Sequence, residues 1–208
     1  MTKIILVRHG HVEGISPERF RGRNDLELTP EGRRQAEATA GRIHETWIVK
    51  AVYTSPLSRS RATGEAIGQP FGLSPGPLQG LIDIDYGEWQ GLTPDEVRSR
   101  WPAPLEAWYR TPHWAAIPGG ETLQVVLART VAALREVIDR HPDDTVVLVG
   151  HDSVNRVILL HALELPLSRY WRLRQDPCAI NEINFSEGGS VVAMVNERHH
   201  LSSLGEGA

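Results

Sequence analysis

The chain has 208 residues, a net charge of −4 at pH 7 and a single cysteine. Its length suits one α/β domain, and its charge balance lacks the clustered Lys and Arg of a nucleic-acid-binding surface. One cysteine excludes an internal disulfide, and no window approaches the roughly 20 apolar residues of a membrane helix. The chain enters a strand at once without a leader, so we expect a cytoplasmic protein with no nucleic-acid or membrane partner.

Strands and helices are predicted to alternate along the first part of the chain. The apolar run Ile4–Val7 is typical of a short buried strand. Thr29 is the predicted N-cap of a helix that has Pro30 at its first position. A second strand, a second helix and an extended stretch follow, with the predicted ranges Val49–Tyr53, Ser55–Gly68 and Leu78–Ile84.

The second part of the chain opens with a segment rich in Trp and Pro, about residues 88–120, which we interpret as a small helical cap insertion. Most of its aromatic side chains are expected to form a small separate core, with one or two facing a pocket. Beyond it we predict a helix over Leu123–Ile138, a buried strand over Thr145–Val149 and a helix over 154–158. A closing hairpin follows, with its strands over Ala179–Phe185 and Ser190–Val195. The polar tail, residues 198–208, is expected to fray.

This alternation predicts the fold class. We expect a three-layer α/β/α sandwich with a mostly parallel central sheet, built as one domain over residues 1–208. Ligands of such open sheets bind at the carboxyl ends of the strands.

Three predicted strands end in residues suited to binding an anion. The first is followed by Arg8-His9-Gly10, the second leads to Arg59 in the first turn of a helix, and the third ends at His151. Arginine provides a rigid fork of donors that matches phosphate oxygens, and helix N-termini offer free N–H groups. The pattern therefore predicts a phosphate-binding site that also contains an imidazole nucleophile.

The chain resembles the histidine phosphatase superfamily, which includes the cofactor-dependent phosphoglycerate mutases. The resemblance spans nearly all of residues 3–196, and several ordered motifs together make an accidental match improbable. The matching stretches are Leu6–Gly10, Gly22–Thr29 with Gly32–Ala36, Ser55–Thr63, Asp83–Gly91, Pro118–Thr122 and Gly150-His151.

The resemblance implies roles for individual residues. His9 would be the nucleophile that becomes phosphorylated, while Arg8, Arg59 and His151 would bind the phosphoryl oxygens, His151 also counting among the catalytic residues. The residue types suit the chemistry, because phosphoryl transfer depends mostly on positioning and charge stabilisation. Nearby cations also disfavour the imidazolium form, which leaves His9 neutral and able to attack.

The general acid departs from the family pattern. The family usually has a glutamate four residues before the first glycine of Gly-x-Trp-x-Gly, and counting back from Gly87 gives Asp83. Aspartate reaches one methylene less far. In an extended segment Asp83 and Asp85 would point to the same face. Asp83 is our assignment by alignment, and Asp85 stays open as the alternative acid and as a possible substrate-binding residue.

Other polar residues near the motifs are candidates for substrate binding. His11 stands where the family commonly has an acidic residue, and Arg21 where many members have a smaller polar one. Asp152 and Asn155 follow His151 in the next helix, where Asp152 or Ser153 could cap the helix and Asn155 could orient the loop. His199 and His200 near the end of the chain are expected to be solvated.

These observations predict a metal-independent phosphomonoesterase, of the histidine acid phosphatase type, that forms a phosphohistidine and needs no cofactor. A mutase is disfavoured because Tyr86–Gly91 lacks the basic pair that mutases carry after the acid. Two rival functions are a metal hydrolase, with His9, His11, His151 and Asp152 as its ligand set, and a non-catalytic phosphate-binding module. Few basic residues besides the core arginines are tied to the pocket, which favours a small monophosphorylated substrate. The sequence leaves a homodimer open.

Overall fold

A six-stranded sheet forms the centre of the protein, which we describe from a computed structural model over residues 1–204. Across the sheet the strand order is β3-β2-β4-β1-β5-β6. The first four strands in this order are parallel, β5 is antiparallel to β1, and β6 is antiparallel to β5. The strands are β1 (Thr2–Arg8), β2 (Val49–Thr54), β3 (Gly76–Pro77), β4 (Thr145–Gly150), β5 (Ile180–Ser186) and β6 (Gly189–Glu197).

Helices cover both faces of this sheet. Along β1, Ile4 and Leu6 join the buried cluster under the helices over residues 123–140 and 152–162, whereas Ile5 and Val7 join the cluster under the helices over residues 30–46 and 58–68. Strand side chains alternate between faces, so a continuous apolar strand needs a helical layer on each side. The predicted α/β/α architecture is confirmed. The helices are α1 (Pro30–Thr46), α2 (Ser58–Gly68), α3 (Pro94–Arg100), α4 (Pro102–Arg110), α5 (Leu123–Arg140) and α6 (Asp152–Ala162).

The segment between β3 and α5 carries α3 and α4. Its aromatic residues do not form a separate small core as expected, because Trp89 and Trp108 are fully buried in the same cluster as the side chains of α5 and α6. Trp108 also lines the cavity described below. Trp114, in contrast, is 77% exposed.

Three local predictions are wrong. Leu78–Ile84 is not extended, since Gln79–Leu81 forms a single 3₁₀ turn. The N-cap of α6 is His151, and neither Asp152 nor Ser153 caps the helix with its side chain.

The tail is the third error, because residues 199–204 form a 3₁₀ helix. Leu201 packs beside Val12 and Leu28, and the side chain of His200 is buried against Thr39 with Nε2 3.0 Å from Oγ1. Apolar contact in the tertiary fold thus orders a segment whose local sequence is polar. The prediction that the tail frays also covered residues 205–208, which lie outside the described residues.

A helix that crosses a membrane needs about 20 consecutive, predominantly apolar residues. Among residues 1–204 none of the helices has the length and apolar character to cross a membrane.

Candidate active site

The carboxyl ends of three strands bring the predicted site residues together. β1 and β4 run in parallel register with Arg8 opposite Gly150, and the N–H of His9 donates to the Gly150 carbonyl at 3.1 Å. Ser55, just beyond β2, donates its N–H to the Val149 carbonyl at 3.0 Å. The rings of His9 and His151 therefore meet edge to face, with their centroids 5.1 Å apart.

The imidazole of His9 is neutral and has a defined tautomer. Its Nδ1 lies 2.7 Å from the carbonyl oxygen of Gly10. Because a carbonyl only accepts, Nδ1 carries the ring proton and the lone pair is on Nε2. Burial, followed by the positive charges of Arg59 and other neighbours, holds the pKa of His9 well below its ordinary value. His9 thus presents an unprotonated nitrogen inside a cationic site.

Arg59 is fully buried and connects the nucleophile with the carboxylate of Asp83. Its Nε donates to His9 Nε2 at 3.2 Å, and its Nη2 donates to Asp83 Oδ2 at 3.2 Å. Two carbonyl oxygens of the loop before α1, those of Gly22 and Asn24, accept two further N–H groups of Arg59, each at 2.7 Å. A guanidinium held on so many sides keeps one orientation, as an anion-binding group requires.

His151, the N-cap of α6, lies beside His9 and Asp83. Its Nε2 lies 2.7 Å from Ser55 Oγ and 3.3 Å from Ser60 Oγ. Its Nδ1 faces Asp83 Oδ2 at 3.6 Å, beyond hydrogen-bonding distance. Burial and then Arg59 hold the pKa of His151 well below its ordinary value, so the ring is neutral. A proton on Nδ1, facing the carboxylate, avoids opposing a lone pair to a negative charge.

Asp83 lies beside these groups and is 7% exposed. Ser153 Oγ donates to its Oδ1 at 2.5 Å, and the N–H of Ile84 donates to the same oxygen at 2.9 Å. The other oxygen faces Arg59 and His151. The carboxyl group is thus held within the site by side chains from α2 and α6.

Two buried donors of the site have no protein partner within residues 1–204. Among the described residues, neither Nε of Arg8 nor Nδ1 of His151 has a hydrogen-bond partner, although both atoms are inaccessible to solvent. Arg8 is anchored at Nη1, which donates to the Gln175 carbonyl at 2.6 Å. Unsatisfied buried donors are costly and rare in native proteins. Two of them beside a neutral imidazole indicate a site for an anion with several oxygens.

A cavity of about 280 Å³ opens from Arg8, His9 and Asp83. Its wall is more charged than expected, so the prediction of few basic residues around the pocket is wrong. Aromatic side chains, including Tyr86 and Trp108, form the apolar part of the wall. Within the described chain the lining holds five arginines and four acidic residues: Arg8, Arg19, Arg21, Arg156, Arg174, Glu18, Asp83, Asp152 and Asp176.

The chemistry of this site and the fold agree with the comparison to known families. The family model of the histidine phosphatase superfamily (branch 1) matches residues 4–198. The chain belongs to this superfamily.

Relatives and solved structures of the superfamily match along nearly the whole chain. Phosphoserine phosphatase 1 of Hydrogenobacter thermophilus is 32% identical over 204 residues, which cover 98% of this chain and 96% of the relative. A probable phosphoglycerate mutase, GpmB of Cronobacter sakazakii, is 30% identical over 98% of this chain and 96% of its own length. The structure of YhfR from Bacillus stearothermophilus superposes with a TM-score of 0.91 at 28% identity, covering 97% of this chain and all of that one.

Not every predicted site residue of this histidine phosphatase lines the cavity. Arg21 and Asp152 do, as do Arg8, His9 and Asp83. Arg59 and His151 are not in the lining itself and lie against His9 and Asp83, which are. His11 does not, because its Nδ1 bonds to Oγ1 of Thr29 at 2.9 Å beside the start of α1. Asp85 turns away toward Arg23, whose Nη1 donates to Oδ2 at 3.2 Å, and it caps the turn at Gly87.

Asn155 is also outside the cavity lining. Asn155 is fully buried behind Gly150, and a Cβ atom on Gly150 would lie 2.6 Å from Oδ1 of Asn155. Neither side-chain polar atom of Asn155 has a partner among residues 1–204. Its placement agrees with packing against the end of β4 and not with substrate contact.

Sequence reasoning missed several residues of the site. Ser55 and Ser153 bond to His151 and Asp83, and both lie close to the motifs that carried the family resemblance. Arg156 and Gln175 line the cavity from α6 and from the loop before β5. The sequence contained a signal for Arg156, which is one helical turn after Asp152 and pairs with it at 3.0 Å.

Within residues 1–204 no group of three or more His, Cys, Asp or Glu side chains is arranged to hold a metal ion. Of the two histidines near the first strand that a metal hydrolase would use, His9 lines the cavity, whereas His11 bonds to Thr29 outside the lining.

Proposed function

We propose that the protein hydrolyses a small phosphomonoester through a phosphohistidine on His9. The observation that carries the proposal is the neutral His9, with its lone pair on Nε2, among buried donors of Arg8, Arg59 and His151. Fixed cations stabilise the charge that spreads over the equatorial oxygens in phosphoryl transfer. The relatives named as phosphatases support this reading.

The proposed reaction has two steps. In the first, Asp83 enters as the neutral carboxylic acid; His9 Nε2 bonds to phosphorus, the bond from phosphorus to the alcohol oxygen breaks, and Asp83 gives that oxygen its proton. In the second, water attacks phosphorus, Asp83 takes up a proton from the water, and the bond to Nε2 breaks. Inorganic phosphate and the free alcohol leave, and both side chains return to their starting state. Covalent capture divides one difficult hydrolysis into two easier steps.

Trapping the intermediate tests the role of His9. The protein is mixed with ³²P-labelled p-nitrophenyl phosphate and quenched in alkali, in which phosphohistidine survives. We expect label on the wild type and none on His9→Asn. His11→Gln is the matched control, because it removes a histidine two residues away that does not line the cavity, and it should still be labelled. Label on His9→Asn would remove His9 as the nucleophile.

Two further measurements separate phosphatase activity from the rival functions. Activity that survives EDTA and is inhibited by vanadate opposes a metal hydrolase. Transfer of label to a second hydroxyl, with little free phosphate, would indicate a mutase. No turnover of any phosphomonoester, with tight phosphate binding, would indicate a binding module.

The cavity wall favours an alcohol that carries both a carboxylate and an amine. Arg21 Nε is buried with no partner in the described chain, and Nη2 of Arg156 likewise has none, so both guanidinium groups have spare donors for a carboxylate. Asp152 and Glu18 offer acceptors for an ammonium group. The Hydrogenobacter thermophilus relative is named for phosphoserine, which has this combination.

Three matched substrates test this assignment. O-Phosphoethanolamine is O-phospho-L-serine without its carboxylate, and 3-phosphoglycerate has a hydroxyl in place of the amine. Since a hydrogen bond to a charged group contributes roughly 1.5–3 kcal/mol, kcat/KM for phosphoserine should exceed each of the others by about tenfold or more. Arg21→Met should reduce the advantage over phosphoethanolamine, whereas Arg169→Met, on the exposed surface, should retain it. Equal rates on all three substrates would contradict the assignment.

We keep three further predictions from the sequence: a single domain, a cytoplasmic location and no nucleic-acid or membrane partner. Whether the protein forms a homodimer stays open.

A further inference from the structure

Asp83 lies in a loop whose backbone is held mainly by side chains. The loop runs from the 3₁₀ turn Gln79–Leu81 to the turn at Gly87–Trp89, and Asp83 belongs to no strand or helix. Carbonyl oxygens of Gly80, Ile82 and Asp83 accept their hydrogen bonds from arginine side chains. The position of the carboxyl group thus depends on those arginines.

Arg129, on the long helix α5, uses all five of its N–H donors. Nη1 donates to the Gly80 carbonyl at 2.8 Å and the Ile82 carbonyl at 2.6 Å, and Nη2 donates to the Asp83 carbonyl at 3.2 Å. The remaining donors bind Glu121, with Nε at 3.0 Å and Nη2 at 2.9 Å. A guanidinium has five N–H groups in a fixed fork, so no other side chain could make this set of contacts.

Arg23 completes the arrangement from the loop before α1. Its Nε donates to the Asp83 carbonyl at 3.3 Å, and its Nη2 lies 3.0 Å from Glu121 Oε1. Glu121 in turn accepts the N–H of Asp85 at 3.1 Å. We call Arg23, Glu121 and Arg129 the carbonyl clamp. None of the three lines the cavity, and every N–H donor of Arg129 is used by the loop or by Glu121.

We propose that the carbonyl clamp positions the general acid. The inference rests on the proposed function, in which Asp83 protonates the leaving oxygen. An aspartate has a short side chain with few torsions, so a shift of its main chain moves the carboxyl group by a similar distance. Misplacement by about 1 Å can lower a rate by about a hundredfold. Arg129 is therefore a positioning residue, whose effect falls on the proton given to the leaving group.

The leaving group supplies the test. p-Nitrophenolate leaves without needing a proton, whereas an alkoxide does. We expect Arg129→Met to lower kcat/KM for phenyl phosphate and O-phospho-L-serine by about a hundredfold, and for p-nitrophenyl phosphate by less than about threefold. The slope of log kcat/KM against leaving-group pKa becomes steeper. Arg135→Met, an exposed position on the same helix, should keep the wild-type slope.

Two further variants test whether the clamp acts through its hydrogen bonds or through its charge alone. Arg129→Lys keeps the charge but has too few donors, so it should behave like Arg129→Met, and full rescue by lysine would overturn the proposal. If Arg129→Met fails to fold, Glu121→Gln provides a second test, because this nearly isosteric change removes only part of the hydrogen bonding of Arg129. The slope should become steeper in this folded variant too. Equal losses on all substrates in either variant would also overturn it.

Asp83→Asn separates this inference from the proposed function. A steep slope in Asp83→Asn with a normal slope in Arg129→Met refutes the clamp alone. A normal slope in Asp83→Asn itself refutes the assignment of the acid, and with it the proposed chemistry.

Discussion

The two neutral histidines of the site should make the stability of the protein depend on pH. Burial first, and then Arg59, keep the pKa values of His9 and His151 well below the ordinary value of 6.5. In the unfolded chain both rings titrate near their ordinary value. Below about pH 6.5 the unfolded chain therefore takes up protons that the folded chain does not. Their contribution to stability is present above this pH and is lost as the pH falls.

The size of the effect follows from linkage. One proton bound only by the unfolded state lowers the free energy of unfolding by about 1.4 kcal/mol per pH unit. The side chains of both histidines are almost completely buried, at 1% and 0% residue exposure, so solvent does not weaken the effect. Together they should lower the free energy of unfolding by an amount that approaches about 2.8 kcal/mol per pH unit well below pH 6.5. This is a large share of the roughly 5–15 kcal/mol that stabilises a typical protein.

Urea unfolding between about pH 5.5 and 7.5 measures this slope. His151→Gln should reduce the slope by about 1.4 kcal/mol per pH unit, whatever it does to the stability at neutral pH. The matched control is His44→Gln, which replaces an exposed histidine of α1 and should keep the wild-type slope. Parallel curves for wild type and His151→Gln would mean that His151 takes up its proton equally in the folded and the unfolded chain, which contradicts the lowered pKa of this ring and the neutral pair on which the proposed attack by His9 depends.

Two core substitutions test how the structure is held together. Trp89→Ala removes a fully buried ring that packs 5.2 Å from Phe20, and it should lower the free energy of unfolding by about 3–5 kcal/mol in urea titrations; a loss below about 1 kcal/mol would contradict its place in the main core. Leu201→Ala should cost about 2 kcal/mol or more because Leu201 is 3% exposed, whereas an unchanged midpoint would indicate the frayed tail that the sequence predicts.

Features set by local pattern were predictable from the sequence. A continuous apolar run such as Ile4–Val7 requires cover on both faces, and Thr29 before Pro30 determines where α1 begins. The ends of parallel strands share one edge of the sheet, so the residues after β1, β2 and β4 had to meet there. The fold class follows from these regularities, and so does the close approach of His9, Arg59 and His151.

The tertiary structure decided what local pattern leaves open. Asp83 and Asp85 are equivalent in an alternating segment, but the loop is irregular, and side chains from α2 and α6 hold Asp83 while Arg23 binds Asp85. The clamp on that loop joins residues far apart in the chain. The buried tail likewise depends on a surface formed by other elements. Long-range contacts of this kind lower the free energy only after the chain is folded, so no window of sequence contains them.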